Sequence, residues 1–187
     1  MKLRATTLAL AGCLMTAATA SPPETPPIPY YDWGACPFEC CTYREWEAEK
    51  SVTAHSERSE ASARAFSVAK GEKIRAVTGV VVTTRPGIVR IRSAGKYGYS
   101  KTGAPEPQLS LQPGETIYTL HYEGEGSYLF WYEGKTYSDG IGEGDDNGPF
   151  DVVSQPEYVW WAKLKNTAGK VGWTKDIDAF AHVDRCE

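Results

Sequence analysis

Glu157-Tyr158-Val159-Trp160-Trp161-Ala162-Lys163-Leu164-Lys165, a short polar interruption ending in Ala168-Gly169, and then Lys170-Val171-Gly172-Trp173-Thr174 form the most informative stretch of this sequence. Aromatic and aliphatic residues fill both runs and glycine stands between them, the pattern of two strands joined by a tight turn. Side chains alternate between the two faces of a strand, so Trp160 and Trp161 point in opposite directions. Both cannot enter one core. One of them is expected to meet solvent, a second module or a ligand.

The same signal recurs upstream. Residues 73–84 are rich in valine, and residues 87–92 alternate, with Val89 and Ile91 on one side and Arg90 and Arg92 on the other. Residues 115–122 and 127–133 continue the series, punctuated by Arg85-Pro86-Gly87, Gln112-Pro113-Gly114 and Glu123-Gly124-Glu125-Gly126. Many short strands at this spacing predict a mostly β protein, a small barrel or a sandwich. Residues 45–64 are polar without a sustained apolar stripe, and a short helix is expected there, centred on 56–65. One internal echo is present: Val68-Ala69-Lys70-Gly71-Glu72-Lys73-Ile74 and Leu111-Gln112-Pro113-Gly114-Glu115-Thr116-Ile117 share apolar-x-x-Gly-Glu-x-Ile. In each, a glycine turn is expected to feed a strand that starts with Glu and an inward Ile.

The segment from Tyr158 to Lys165, the turn, and Gly169-Lys170-Val171-Gly172-Trp173 resemble the end of a bacterial SH3-like domain. In that family a tryptophan-bearing strand, a tight hairpin and a Gly-x-x-Gly-Trp strand typically follow one another. Residues 111–120 are similar to its apolar-x-x-Gly-Asp/Glu-x-Val/Ile segment. The resemblance covers residues 111–175 and, in looser form, 44–92. It departs from the family in a long, acidic, glycine-rich insertion at 134–155. It implies one or two small SH3-like β-barrels: an N-terminal module at 44–104 and a C-terminal barrel at 105–187. It also implies a noncatalytic binding role toward cell-wall peptide or glycan, or toward a partner protein. Fold alone does not specify function.

The ends of the chain suggest its compartment. Lys2 and Arg4 precede an uncharged small-residue stretch that closes on Ala18-Thr19-Ala20, so residues 1–20 are expected to be a signal peptide. The alternative is a lipoprotein signal, with Leu10-Ala11-Gly12-Cys13 as its lipobox and Cys13 as the lipid anchor. No later run approaches the ~20 apolar residues of a membrane span. Residues 21–43 are a proline-rich leader and a cysteine cluster; the prolines predict an extended, solvated lead-in. Without Lys2 and Arg4 the remainder holds 18 basic and 24 acidic residues, a net charge of −6 that argues against a nucleic-acid partner.

Cys36, Cys40, Cys41 and Cys186 make an even count, which in an exported chain predicts two disulfides. Joining the neighbours Cys40 and Cys41 is strained. Cys36–Cys41 with Cys40–Cys186 is the favoured pairing, and Cys36–Cys40 with Cys41–Cys186 stays open. A zinc site is disfavoured, because Cys36-x3-Cys40-Cys41 is not its usual spacing. The expected location is periplasmic or secreted.

Three constellations stand out, each with a plainer reading beside it. Trp131, Tyr132, Tyr158, Trp160, Trp161 and Trp173, with Tyr118 and Tyr122, suit a platform for sugars or peptides, but surplus rings also pack between modules. Residues 64–101 carry a net charge of +8 and residues 103–160 one of −10. The halves are expected to attract each other; the sharper alternative is a basic patch at Arg90 and Arg92 that captures an anionic partner. Glu143-Gly144-Asp145-Asp146-Asn147-Gly148 resembles the front of a calcium loop, but Ser154 stands where a glutamate is wanted, so a solvated loop tip is expected. No cofactor or resident metal is expected. No catalytic motif is present; the remote hydrolase reading would pair Cys41 with His182. The expected function is a noncatalytic envelope binding module for peptidoglycan, with an envelope-protein inhibitor or assembly factor as the alternative.

Overall fold

In a computed structural model, residues 24–100, 108–141, 148–184 and 186 are described. The expected signal peptide, Cys13 and positions 143–147 of the calcium-like loop lie outside the described residues. Among those residues there is no α-helix, and the protein is mostly β.

The chain opens with β1 (Tyr30–Trp33), β2 (Glu45–Ala48), β3 (Val52–His55), β4 (Arg64–Val68) and the long β5 (Lys73–Arg85). It then builds β6 (Gly87–Ile91), β7 (Gly95–Tyr97), β8 (Tyr99–Ser100), β9 (Leu109–Leu111), β10 (Thr116–Gly124), β11 (Ser127–Tyr132), β12 (Lys135–Gly140) and β13 (Phe150–Ser154). It finishes with β14 (Glu157–Lys165), β15 (Val171–Thr174), one 3-10 turn at Ile177–Ala179 and β16 (Phe180–Ala181).

These strands form two main sheets. The first is a curled sheet in the order β16-β2-β5-β14-β15-β3-β4, with β1 also paired to β5. The second runs β13-β6-β10-β11-β12-β8, and β7 pairs separately with β9. Pairing therefore crosses the division at 104/105: β5 and β14 pair from Glu157↔Arg85 to Lys165↔Arg75. The second sheet is built wholly from the segment between them.

Two expectations are corrected. Residues 45–64 hold no helix. They form β2, β3 and the start of β4, because Trp46, Ala48, Val52 and Ala54 bury themselves at alternate positions, a period of two that the surrounding charges disguise. The insertion 134–155, where the chain departs from the SH3-like pattern, is not an appendage to the fold: β12 and β13 lie within it and are strands of the second sheet. Glu133 and Gly134 both take positive φ, as the two central residues of the hairpin between β11 and β12.

The seven-residue echo has a structural counterpart. In both copies the Glu carboxylate accepts from the backbone N–H three residues earlier, Ala69 for Glu72 and Gln112 for Glu115. The Glu N–H in turn donates to the carbonyl of that same residue, at 3.0 and 3.2 Å. Gly71 and Gly114 supply the positive φ such a turn requires, and Ile74 and Ile117 point into their cores. One turn launches β5, the other β10.

The main core lies inside the curled sheet and includes Trp46, Ile74, Ala162, Leu164 and Phe180. A second core, with Val89, Ile117, Phe130 and Phe150, fills the second sheet. Leu120, Leu129 and Trp131 form a third cluster against which Tyr30 of β1 packs. The cysteines are paired as Cys36–Cys41 and Cys40–Cys186, the favoured expectation. The second bridge ties the leader to the C-terminal end, where Thr42 N–H also donates to Val183 O at 2.9 Å.

Two predictions follow from the seam between leader and sheet. Trp160 Nε1–H donates to Tyr43 Oη at 2.8 Å, and Tyr43 Oη–H donates to Ala35 O. A Cβ at Gly79 would overlap Tyr43 Oη and lie 2.6 Å from Trp160 Nε1. Gly79→Ala should therefore cost about 1–3 kcal/mol in urea denaturation, the usual penalty for overpacking. Burial, opposed by the Trp160 hydrogen bond, pushes the Tyr43 hydroxyl up to about 12. A raised folded-state value means this stability is intact below the unfolded value of 10.0 and is lost as pH climbs toward 12. Stability measured from pH 9 to 12 should fall less steeply in Tyr43→Phe.

Candidate functional site

The face of the first sheet opposite the main core presents a groove. Directly paired residues of antiparallel strands share a face, so the register defines its floor. Tyr31 pairs with Val82, and Val82 with Val159; Trp33 pairs with Val80, and Val80 with Trp161. Further along, Lys163 pairs with Trp173. These rows put Tyr31, Trp33, Trp161 and Trp173 on one surface, over the fully buried Val80. Tyr31, Val82, Thr84, Val159, Trp161 and Trp173 line a cavity of about 470 Å³, closed on one side by residues 56–58 of the β3–β4 hairpin.

Arg58 stands over this surface. Its guanidinium carbon is 4.6 Å from the Trp33 ring centre, 5.3 Å from that of Trp173 and 5.5 Å from that of Tyr31. Trp33 and Trp173 meet edge to face at 6.4 Å, and Tyr31 stacks on Trp33 at 6.1 Å. Lys163 Nζ approaches the Trp173 ring at 5.6 Å. Negative ring faces hold the guanidinium in place. Among the described residues no carboxylate or carbonyl takes a hydrogen bond from it, so its planar array of N–H donors is available to a bound group. Trp33 is 59 % exposed and Tyr31 41 %, so both rings are open to solvent.

The residues singled out from sequence are distributed over both sheets. Trp161 and Trp173 line the groove. Trp160 projects to the other face and packs edge-on against Trp46, Tyr43 and Phe38. Trp131 is buried beside Tyr30 in the third cluster. Tyr132 belongs to the second sheet, where its hydroxyl donates to Glu115 Oε1 at 2.9 Å; burial first and then Glu115 push it up to about 12. With Tyr118, Thr116, Glu133 and Glu24 it borders a separate hollow of about 310 Å³. Tyr158 packs edge-on against His121 and borders another with Tyr128, Gln155 and Pro156; burial raises its hydroxyl. Tyr122 and Tyr128 pack edge to face.

Arg90 and Arg92 lie near the start of the second sheet. Arg92 pairs with Asp151 at 2.9 Å, and nearby Arg85 pairs with Glu157 at 2.6 Å, so basic and acidic stretches meet in these ion pairs. Asp151, the ninth position of the calcium-like loop, is engaged by that arginine. The Cys41 sulfur is bridged to Cys36, which leaves the Cys41–His182 pairing without a thiolate.

Sequence reasoning missed Tyr31, Trp33 and Arg58. Tyr30-Tyr31-Asp32-Trp33 follows the prolines as a short aromatic run, a strand signal that could have been read. Nothing local marks Arg58, whose role depends on where a hairpin folds. Comparison with protein-family models, curated proteins and solved structures finds no match.

Because the clamp is partly exposed, Arg58→Ala should cost only about 0.5–1 kcal/mol of stability, the magnitude of exposed cation–π contacts. It should also raise acrylamide quenching of tryptophan fluorescence, as Trp33 and Trp173 lose their cover. Unchanged quenching would show that Arg58 does not cover the rings in solution.

Proposed function

We propose that this chain is an exported, noncatalytic binding protein of the cell envelope, and that the Arg58-clamped aromatic groove is its ligand site. The first sheet is read as an SH3-like barrel whose long strands β5 and β14 are separated in sequence by the second sheet. The curl of that sheet, its β3–β4 hairpin and the tight β14–β15 turn support that reading. The two disulfides are consistent with an oxidising compartment.

One observation carries the assignment: an arginine held by three aromatic faces, its hydrogen-bond donors uncommitted among the described residues, at the mouth of a groove floored by Val82, Val159 and Trp161. Flat rings suit the apolar face of a sugar or a peptide segment. The guanidinium suits a carboxylate or carbonyl presented beside it. Peptidoglycan offers both, as glycan rings and as carboxylate-bearing stem peptides, and is the ligand proposed.

Purified peptidoglycan, sedimented with the oxidised protein at low and at near-physiological salt, tests this. The wild type should pellet at both salts, since stacking is less salt-sensitive than charge alone. Trp33→Ala and Arg58→Ala should each weaken binding by about tenfold or more, as expected of a contact hot spot. Protein left in the supernatant at both salts, or variants that pellet like the wild type, would sink the wall-binding reading and favour a protein partner.

A further inference from the structure

Away from the groove, His121 sits in an environment that a neutral ring alone does not satisfy. It is on β10 and 1 % exposed. Its Nδ1 lies 2.9 Å from the carbonyl oxygen of Tyr122, and its Nε2 lies 2.9 Å from Asp32 Oδ2. A carbonyl oxygen can only accept, so Nδ1 carries a hydrogen, and the neutral ring then has only a lone pair at Nε2. That lone pair faces a carboxylate. A second carboxylate, Glu123, completes the group: Asp32, His121 and Glu123 each place one donor atom within 4.8 Å of the others.

An imidazole lone pair and two carboxylates converging on one partly buried point call for a cation between them. We propose that the cation is a divalent transition-metal ion, best matched by zinc, held by His121 Nε2, Asp32 and Glu123. A divalent ion at this point would be shared by the ring nitrogen and both carboxylates. The surroundings have the form of a metal site's outer support. The Nδ1–H bond to a backbone carbonyl fixes the ring tautomer and orientation, and Ser138 Oγ–H donates to Glu123 Oε2. Nitrogen together with carboxylate oxygen suits zinc, manganese or iron(II) better than calcium or magnesium, which favour oxygen alone. Zinc bonds of about 2.0–2.2 Å require Nε2 and Oδ2 to separate by a few tenths of an ångström, a small side-chain adjustment. Three protein ligands leave a tetrahedral position for water.

The site has a structural consequence. Asp32 lies between Tyr31 and Trp33 on β1, and alternation turns its side chain away from theirs. A metal there would pin to β10 the same strand that presents two rings to the groove.

The test is zinc titration of the purified, oxidised protein after removal of metals with a chelator. One zinc per chain with micromolar or tighter affinity is expected. Glu123→Gln and Asp32→Asn should each weaken it at least tenfold, while His55→Gln with His182→Gln should leave it intact. In the wild type, zinc should shift the His121 ring NMR signals in one-to-one proportion, a readout that does not depend on any variant folding. Absence of binding at 100 µM zinc, equal affinity in Glu123→Gln, or unmoved His121 signals would each overturn the proposal.

Discussion

The antiparallel pairing of β5 with β14 is the contact on which the rest of the structure depends. It brings together two segments separated by the whole second sheet, and it supplies both the wall of the main core and the floor of the groove. The long return is feasible because of how the intervening segment folds. Its first and last strands, β6 and β13, are themselves paired antiparallel, so the chain leaves and re-enters that sheet at the same side. The end of β5 and the start of β14 are thereby held close together. The entropy of closing such a connection grows only slowly with its length. The Arg85–Glu157 ion pair marks the junction, but both side chains are about 60 % exposed and contribute little to it.

β5 is long enough to serve different neighbours along its length. At its start it pairs with β2, toward its end with β1, and along its other edge with β14. An irregularity in the β5–β14 register between Ala76 and Thr78 shifts the alternation and so divides the side chains. Ile74 and Ala76 enter the main core with Trp46 and Leu164, while Val82 and Thr84 are left for the groove. Trp160 and Trp161 show the same division one strand away, the first beside Trp46 and the second beneath the clamped rings. The core and the site are two faces of one piece of backbone, so stability and binding surface are built by the same register.

β1 is the link between the sheets. Its four residues alternate between two tasks: Tyr31 and Trp33 face the groove, while Tyr30 packs on Trp131 and Asp32 meets His121, both in the second sheet. The 2.9 Å contact between Asp32 Oδ2 and His121 Nε2 ties β1 to β10. Just beyond β1, the Cys36–Cys41 and Cys40–Cys186 bridges fasten the leader to itself and to the C-terminal end. The segment that presents the exposed rings is thus anchored by a sheet edge, a polar cluster and two covalent links.

What the sequence determined by itself was local. Valine-rich and aromatic runs, with clear alternation at β6, marked strands at β5, β6, β10, β11, β14 and β15, glycine turns punctuated them, and a repeated Gly-Glu-x-Ile marked two turns of the same construction. The cysteine count and the strain of joining neighbours left two pairings, of which the favoured one is found, and the opposite facing of Trp160 and Trp161 followed from strand geometry alone. Strands of four residues, such as β2 and β3, send only two side chains each inward, too few to stand out from charged surroundings, which is why 45–64 resembled a helix. Of the groove, Trp161 and Trp173 were legible as strand aromatics. Tyr31, Trp33 and Arg58 were not, because their meeting requires a leader, a hairpin and a central strand to converge. Only the tertiary structure decided which strands pair, and hence which rings share a face, because backbone hydrogen bonding is the same for every strand and the choice of partner rests on burial between distant segments.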